Sequence, residues 1–385
     1  MEYNFDKFTD RIGTNCEKYE FGKDFGKPDG LMPFWVADMD FPTAKPIVEA
    51  IKKRAEHGIF GYSLPYDSYY QAVIDWYEKY FDFKIKKEWI ITTPGVVFAL
   101  SAAIRGLTEV GDSVIIQTPV YYPFKGMIDL NGRKAIINQL EEKNGVYSIN
   151  FDDFENKIIQ NKVKLFILCS PHNPVGRVWK KQELEKLAEI CKKNNVIVVS
   201  DEIHSDFVYE GYKHTVFQNI DGMEDLTITC TAPSKTFNLA GLQISNIIIK
   251  NSDIREKFKK AYDATGADEP NIFGIVACEA AYRNGRQWLD ELKVYLKKNI
   301  EKTSEFLSKN MPKAKLIKPE GTYLLWIDFR EYGLTEEELN DIIINKAGLW
   351  LNTGSKFGEG GEGFQRINIA CPWEYLEKGL LRLAE

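Results

Sequence analysis

Three apolar runs in this chain end on residues that can do chemistry. "VIVVSDEIHSDFVY", residues 196–209, carries Asp201 at its end. "VKLFILCSPHNPVGRVW", residues 163–179, carries Asn173, and "LTITCTAPSKTFNLAGLQ", residues 226–243, carries Lys235. A fourth stretch, "TTPGVVFAL", sets Gly95 in a turn that opens a helix. A lysine amine set among cations in a buried site becomes a nucleophile and base near neutral pH. A helix that starts on glycine offers backbone N–H groups to a phosphate. Taken alone, the 196–209 stretch admits three readings: the DExH box of a nucleotide-driven helicase, a metal site, or the carboxylate end of a cofactor pocket.

The helicase reading needs a phosphate loop of the form G-x-x-x-x-G-K-[ST]. None occurs, and "APSKT" has the Lys-Thr pair without the glycines. "GEGGEG", Gly358 to Gly363, matches G-x-G-x-x-G by letter. A strand follows it where a helix is required, and Glu359 and Glu362 would repel a pyrophosphate. It reads as a flexible glycine loop between two strands. Zinc held by Asp201, Glu202 and His204 is a weak reading, because no other histidine stands at zincin spacing. No metal is expected, and the acids after Asp201 read as partly helix-start and solvent-facing residues. Six scattered cysteines, none in C-x-x-C, fit a reducing compartment without a structural zinc.

The elements that must position these residues follow from the apolar pattern. "EWIITTP", "DSVIIQTP", "RKAIINQL", "VKLFILCSP", "VIVVSDE", "LTITCTAP" and "ISNIIIK" are continuous apolar runs. Amphipathic stretches such as "KKQELEKLAEICKKN" separate them. That alternation predicts an α/β fold with a largely parallel sheet covered on both faces. Ligands in such sheets bind at the carboxyl ends of the strands, where the four clusters lie. A long helical stretch is expected from near Asn271 to about residue 310, and "TYLLWIDF", "LWLNTG" and "FQRINIA" then form a smaller α+β unit. The Gly- and Pro-rich first 45 residues are expected to wrap that unit, with residues 46–285 the large domain and 286–385 the small one.

The chain has 385 residues and a formal charge of −6. A chain of this length buries roughly 75% of its unfolded surface. The acidic balance argues against a nucleic-acid partner. No apolar run approaches the ~20 residues of a membrane span. The start, "MEYNFDKFTDRIG", lacks the basic and apolar regions of a signal peptide. The expectation is a cytoplasmic protein without a membrane partner.

A strand-ending Asp, a strand-following Lys, an Asn-Pro turn and a phosphate cradle are the parts of a pyridoxal-phosphate site. "SPHNPVGRVW", "SDEIHSDFVY", "APSKTFNLAGLQ" and "FQRINIACP", in that order, resemble fold-type I pyridoxal-phosphate enzymes of the class I/II aminotransferase superfamily. "FWVADMDFPTA" and the histidine of "DEIH" are similar to the cystathionine β-lyase or C–S lyase branch, of the MalY/PatB type. The resemblance covers essentially the whole chain. It implies an aspartate aminotransferase-like large domain with a seven-stranded, mainly parallel sheet, the cofactor pyridoxal 5'-phosphate, and a homodimer with shared active sites.

The resemblance also implies roles. Lys235 forms the Schiff base with the cofactor and acts as base once released. Asp201 pairs with the pyridine nitrogen and keeps it protonated. Asn173 bonds the ring's phenolic oxygen, and Tyr121 stacks on the ring, with Tyr122 beside it as the competing choice. Gly95, Val96 and Val97 offer N–H groups to the phosphate, and Ser234 adds a hydroxyl. Tyr62 reaches the phosphate from the neighbouring subunit. His204 stands where aminotransferases carry a tyrosine, either contacting the phenolic oxygen or filling space. Arg366 clamps the substrate α-carboxylate as a planar fork, near Asn173. Gln243 occupies the place of the arginine that aminotransferases set against the phosphate, so neutral donors or another cation must serve. Asp38 and Asp40 lie near the substrate with no assigned role.

Three functions stay open under that resemblance. One is β-elimination on cystathionine or another S-substituted cysteine, giving thiol, pyruvate and ammonia, with Lys235 or Tyr121 protonating the sulfur. Another is an aminotransferase of non-dicarboxylic specificity, since "ATGADEPNIFGIVACEAAY" offers no arginine for a second carboxylate. The third is a regulatory, protein-binding role on the same fold.

Overall fold

A computed structural model of the chain describes residues 2–267 and 269–385; Met1 and Asp268 lie outside it, the latter within the arginine-free stretch noted above. Seven strands build the main sheet: β1 (Ile90–Thr93), β2 (Ser113–Ile116), β3 (Lys134–Ile137), β4 (Leu165–Cys169), β5 (Ile197–Asp201), β6 (Thr227–Thr231) and β7 (Ser245–Ile249). Their order is β1-β7-β6-β5-β4-β2-β3. Only β7 runs antiparallel to its neighbours. Each expected apolar run supplies one strand, because a sheet covered on both faces buries successive side chains alike.

Alternation along β4 shows the two faces. Leu165, Ile167 and Cys169 pack with helices α1 (Val96–Leu107) and α3 (Ser252–Asp263), where Leu100 and Phe258 are buried. Phe166 and Leu168 turn the other way, to Leu184 and Leu187 of helix α2 (Lys181–Lys193). The carboxyl ends of β1, β2, β4, β5 and β6 therefore share one edge.

The long helical stretch is two helices, α4 (Ile272–Asn284) and α5 (Arg286–Asn310), parted at Gly285. A Cβ at Gly285 would collide with the Phe237 ring, so glycine is needed for close approach, and the helix breaks there. Beyond it, β8 (Lys315–Leu316), β9 (Leu324–Asp328), β10 (Asn352–Thr353) and β11 (Phe364–Asn368) form an antiparallel sheet in the order β8-β9-β11-β10. Gly358–Gly363 is the loop leading into β11. The Gly354 and Gly361 backbones pack so closely that a Cβ on either would overlap the other.

The N-terminal segment lies on this second unit. Met32–Pro33 pairs parallel with Leu349–Trp350. The Asn368 N–H donates to Phe34 O at 2.9 Å and the Asp40 N–H to Ala370 O at 2.9 Å. Among the described residues, no helix is long and apolar enough to cross a membrane.

Candidate active site

A cavity of about 180 Å³ opens at the shared carboxyl edge. Gly95, Val96, Val97, Tyr121, Asn173, Asp201, His204, Ser234 and Lys235 all line it, together with Ala37 from the N-terminal segment. Register brings several of them together. Asp201 is the last residue of β5, opposite Cys169 of β4 and Cys230 of β6. Asn173 follows β4, and Lys235 sits on the short helix Pro233–Thr236 after β6.

Asp201 is buried, and one carboxylate oxygen accepts from the Ile203 N–H at 3.2 Å. Burial pushes its carboxyl up to about 7, against the pull of that N–H and of the Lys235 charge; Glu202 adds to the rise. The Lys235 ammonium donates to Ala37 O at 2.8 Å. Burial brings its amine down to about 8; Asp38 opposes that, Arg366 assists it, and Asp201 opposes it. An acid and an amine, each displaced toward neutrality by burial, thus face one cavity, as a proton-transfer site requires.

Gly95 caps α1 in extended backbone, with no atom within 4 Å of where a Cβ would stand. The first N–H groups of α1 have no intrahelical acceptor. Open space in front of a helix N-terminus fits a phosphate. Ser234 lines the same cavity. Gln243 is exposed, in left-handed backbone, outside the cavity lining, so the helix terminus and neutral donors are what this chain presents to a phosphate.

Arg366 enters from β11, buried, between Trp326 and Asn352 of the neighbouring strands. It donates to Asn173 Oδ1 at 3.0 Å, Trp35 O at 2.7 Å and Asn352 Oδ1 at 2.5 Å, and its guanidinium lies 4.9 Å from the Phe357 ring centre. Every acceptor is neutral, and Nε has no partner. Burial lowers it to about 10, opposed by Tyr122, Tyr121 and Tyr323. A buried cation held only by neutral oxygens is a receptor for a carboxylate.

Tyr121 lines the cavity, while Tyr122 turns toward Phe357, their ring centres 6.0 Å apart. Burial foremost raises the Tyr121 phenol, which therefore keeps its proton at neutral pH. His204 is driven down to about 3 by burial and by the charges of Lys235 and Arg366, so its imidazole is neutral. Its Nδ1 has no partner. Tyr62 is 94% exposed, in a separate surface groove with Leu64, Tyr66, Ile272 and Ile275. A single chain does not bring it to the cavity.

The acids that follow Asp201 correct the expectation of solvent-facing residues at a helix start: Glu202 is 1% exposed and Asp206 is buried as well. Glu202 accepts from Ser200 Oγ at 2.8 Å, the Phe217 N–H at 2.9 Å and His214 Nε2 at 2.7 Å. Asp206 accepts from Thr236 Oγ1 at 2.7 Å, next to Lys235. Asp206 thereby ties the loop after β5 to the turn after β6, and Glu202 ties the end of β5 to residues 214–217.

Sequence reasoning missed the lysine's acceptor and the group behind it. Ala37 O also accepts from Tyr323 at 2.9 Å. Beside it, Asp38 pairs with Arg11 at 2.6 Å, and Asp40 pairs with Arg11 at 2.9 Å and Lys18 at 2.7 Å. Two acids inside the apolar "FWVADMDF" were the available signal; their cations lie some 20 to 30 residues upstream in no pattern.

The sequence model for "Aminotransferase class I and II" matches residues 30–383. Cystathionine beta-lyase PatB of Bacillus subtilis (strain 168) is 47% identical over 99% of this chain and 98% of its own length. Protein MalY of Escherichia coli (strain K12) is 34% identical, again over 99% of this chain and 98% of its own. The structure of cystalysin from Treponema denticola, which contains a pyridoxal 5'-phosphate cofactor, superposes with a TM-score of 0.96 at 42% identity, over 100% of this chain and 98% of that one.

Proposed function

The chain belongs to the family of class I and II aminotransferases, and on that premise we propose how its residues divide the work of a carbon–sulfur lyase. It is a pyridoxal-phosphate-dependent enzyme of β-elimination on cystathionine or other S-substituted cysteines, giving thiol, pyruvate and ammonia. The bound cofactor supplies an electron sink that lets the α-proton leave and the β-carbon–sulfur bond break.

We infer that Lys235 is the residue that bonds the cofactor, and that its freed Nζ takes the substrate α-proton. Its amine, brought near neutrality by burial, suits both tasks. Asp201 pairs with the cofactor's ring nitrogen. Asn173, Tyr121 and His204 orient the ring, His204 as a neutral imidazole. The N–H groups of Gly95, Val96 and Val97, with the Ser234 hydroxyl, hold the phosphate. Arg366 holds the α-carboxylate and, through Asn173, keeps it in register with the ring. The Tyr121 phenol, which keeps its proton, or the Lys235 ammonium protonates the departing sulfur.

We further propose a homodimer in which Tyr62 of the partner subunit completes the phosphate site; its exposure here supports that reading. Residues 46–285 are then the cofactor-binding domain, and residues 1–45 and 286–385 make up the smaller one.

One observation carries the assignment. A buried amine and a buried carboxylate, both near neutral, share a cavity with an open helix N-terminus and a buried arginine at its edge. The test is product identity. The holoenzyme, given L-cystathionine and no keto acid, should release pyruvate, ammonia and free thiol continuously and in equal amounts. Turnover only after a keto acid is added would instead make it an aminotransferase.

A further inference from the structure

Beyond Arg366 the site has a second cation. Lys356, at the exposed rim, sets its ammonium 4.2 Å from the centre of the Tyr122 ring. Tyr122 packs edge-on against Phe357, and the Arg366 guanidinium lies 4.9 Å from the Phe357 ring centre. Arg366, Phe357, Tyr122 and Lys356 therefore form a chain of contacts from the buried fork to an exposed side chain. Among the described residues, no carboxylate lies within ion-pair distance of Lys356. Burial and the charge of Arg366 both press its ammonium toward neutrality, so the two cations feel each other. Tyr122 is the neighbour in sequence of Tyr121, which lines the cavity. Lys356 thus adds a second positive centre to the chain of contacts that begins at Arg366.

We propose that Lys356 and Tyr122 form a subsite for an anionic head on the departing thiol, making Lys356 a specificity-determining residue. The enzyme then prefers S-substituted cysteines whose thiol carries its own carboxylate, as cystathionine does, over plain S-alkyl cysteines.

This inference rests on the lyase reading, and its test separates the two. Pyruvate release is measured with L-cystathionine and with S-propyl-L-cysteine, which lacks the distal head, for wild type, Lys356→Gln and Lys356→Arg. Lys356→Gln should lower kcat/KM for cystathionine about tenfold while changing that for S-propylcysteine by less than about twofold; Lys356→Arg should keep most of the preference. In the wild type, raising salt from about 0.05 to 0.5 M should erode the preference, because an exposed charge is screened. Equal losses on both substrates, or no loss and no salt effect, would overturn the subsite while leaving the lyase intact. No pyruvate from either substrate would overturn the lyase reading and the subsite with it.

Discussion

The Arg366 guanidinium donates to the side-chain oxygen of Asn173 at 3.0 Å across 193 residues of sequence. One residue belongs to the small antiparallel sheet, the other to the turn after β4 of the large one. The bond makes the carboxylate receptor and the cavity wall a single object. Asn173 Oδ1 is thereby fixed as an acceptor toward Arg366, which leaves its NH₂ free to face the cavity.

Replacing Arg366 by lysine should raise KM and lower kcat/KM by about a hundredfold. A point ammonium cannot make the three contacts of the fork, and hydrogen bonds to a charged group each contribute about 1.5–3 kcal/mol. Steady-state kinetics with cystathionine measures the loss. The cofactor absorbance should be unchanged, since Arg366 lies outside the phosphate cradle; a bleached protein would place its role elsewhere.

Asp201→Asn should have opposite effects on activity and on stability without cofactor. A neutral amide cannot keep a ring nitrogen protonated, so turnover should fall by a factor on the order of 10² or more. In the cofactor-free protein the native carboxyl stands at about 7, above the ordinary ~3.9 of an unfolded aspartate. The native state therefore binds this proton more tightly than the unfolded state. Its share of stability is complete below about pH 4 and is lost as pH rises to about 7. Thermal melts of the two cofactor-free proteins should nearly coincide at about pH 4 and diverge progressively up to about pH 7, with Asp201→Asn the more stable above that. A wild type that is more stable at pH 8 would show that Lys235 satisfies the carboxylate fully.

How much of this could be read beforehand depended on chain distance. Asp201 ends a strand, Gly95, Asn173 and Lys235 follow one within four residues, and a strand end in a parallel sheet is a defined place. Glu202 and Asp206 misled because charge alone reads as exposure; their partners, His214 and Thr236, come from separate turns. The loop at Ala37 was invisible for a related reason. Asn238 accepts from the Met39 N–H and donates to the carbonyls of Met39 and Phe41, some 200 residues away. No periodicity or spacing encodes such a contact.

Lys18→Met should destabilise the protein by about 3–5 kcal/mol, because it leaves a buried Asp40 with one fewer cation. Arg11 and Tyr19 still reach that carboxylate, at 2.9 Å each, which sets the loss toward the lower figure. Asp40 is two residues from Asp38 and three from the carbonyl that receives Lys235. Denaturant melts should therefore show a lowered midpoint, and kcat should fall as well. A stability loss with full kcat would mean that the cluster braces the small unit without reaching the amine.

Mixing two inactive variants tests whether sites are shared. Lys235→Ala loses the base in its own cavity; Tyr62→Ala, on this reading, damages only the cavity of its partner. Each homodimer is then defective at both sites. When equal amounts are unfolded and reassembled, half of the dimers are mixed. In a mixed dimer one cavity receives both defects, because the Lys235→Ala subunit faces the Tyr62→Ala partner, and the other cavity receives neither. About a quarter of all sites should therefore regain wild-type chemistry, read as pyruvate release from cystathionine. Recovery to that level requires Tyr62 to act across subunits. No recovery, with dimers present by sedimentation, would confine Tyr62 to its own chain, where its exposure leaves it no contact with the cavity.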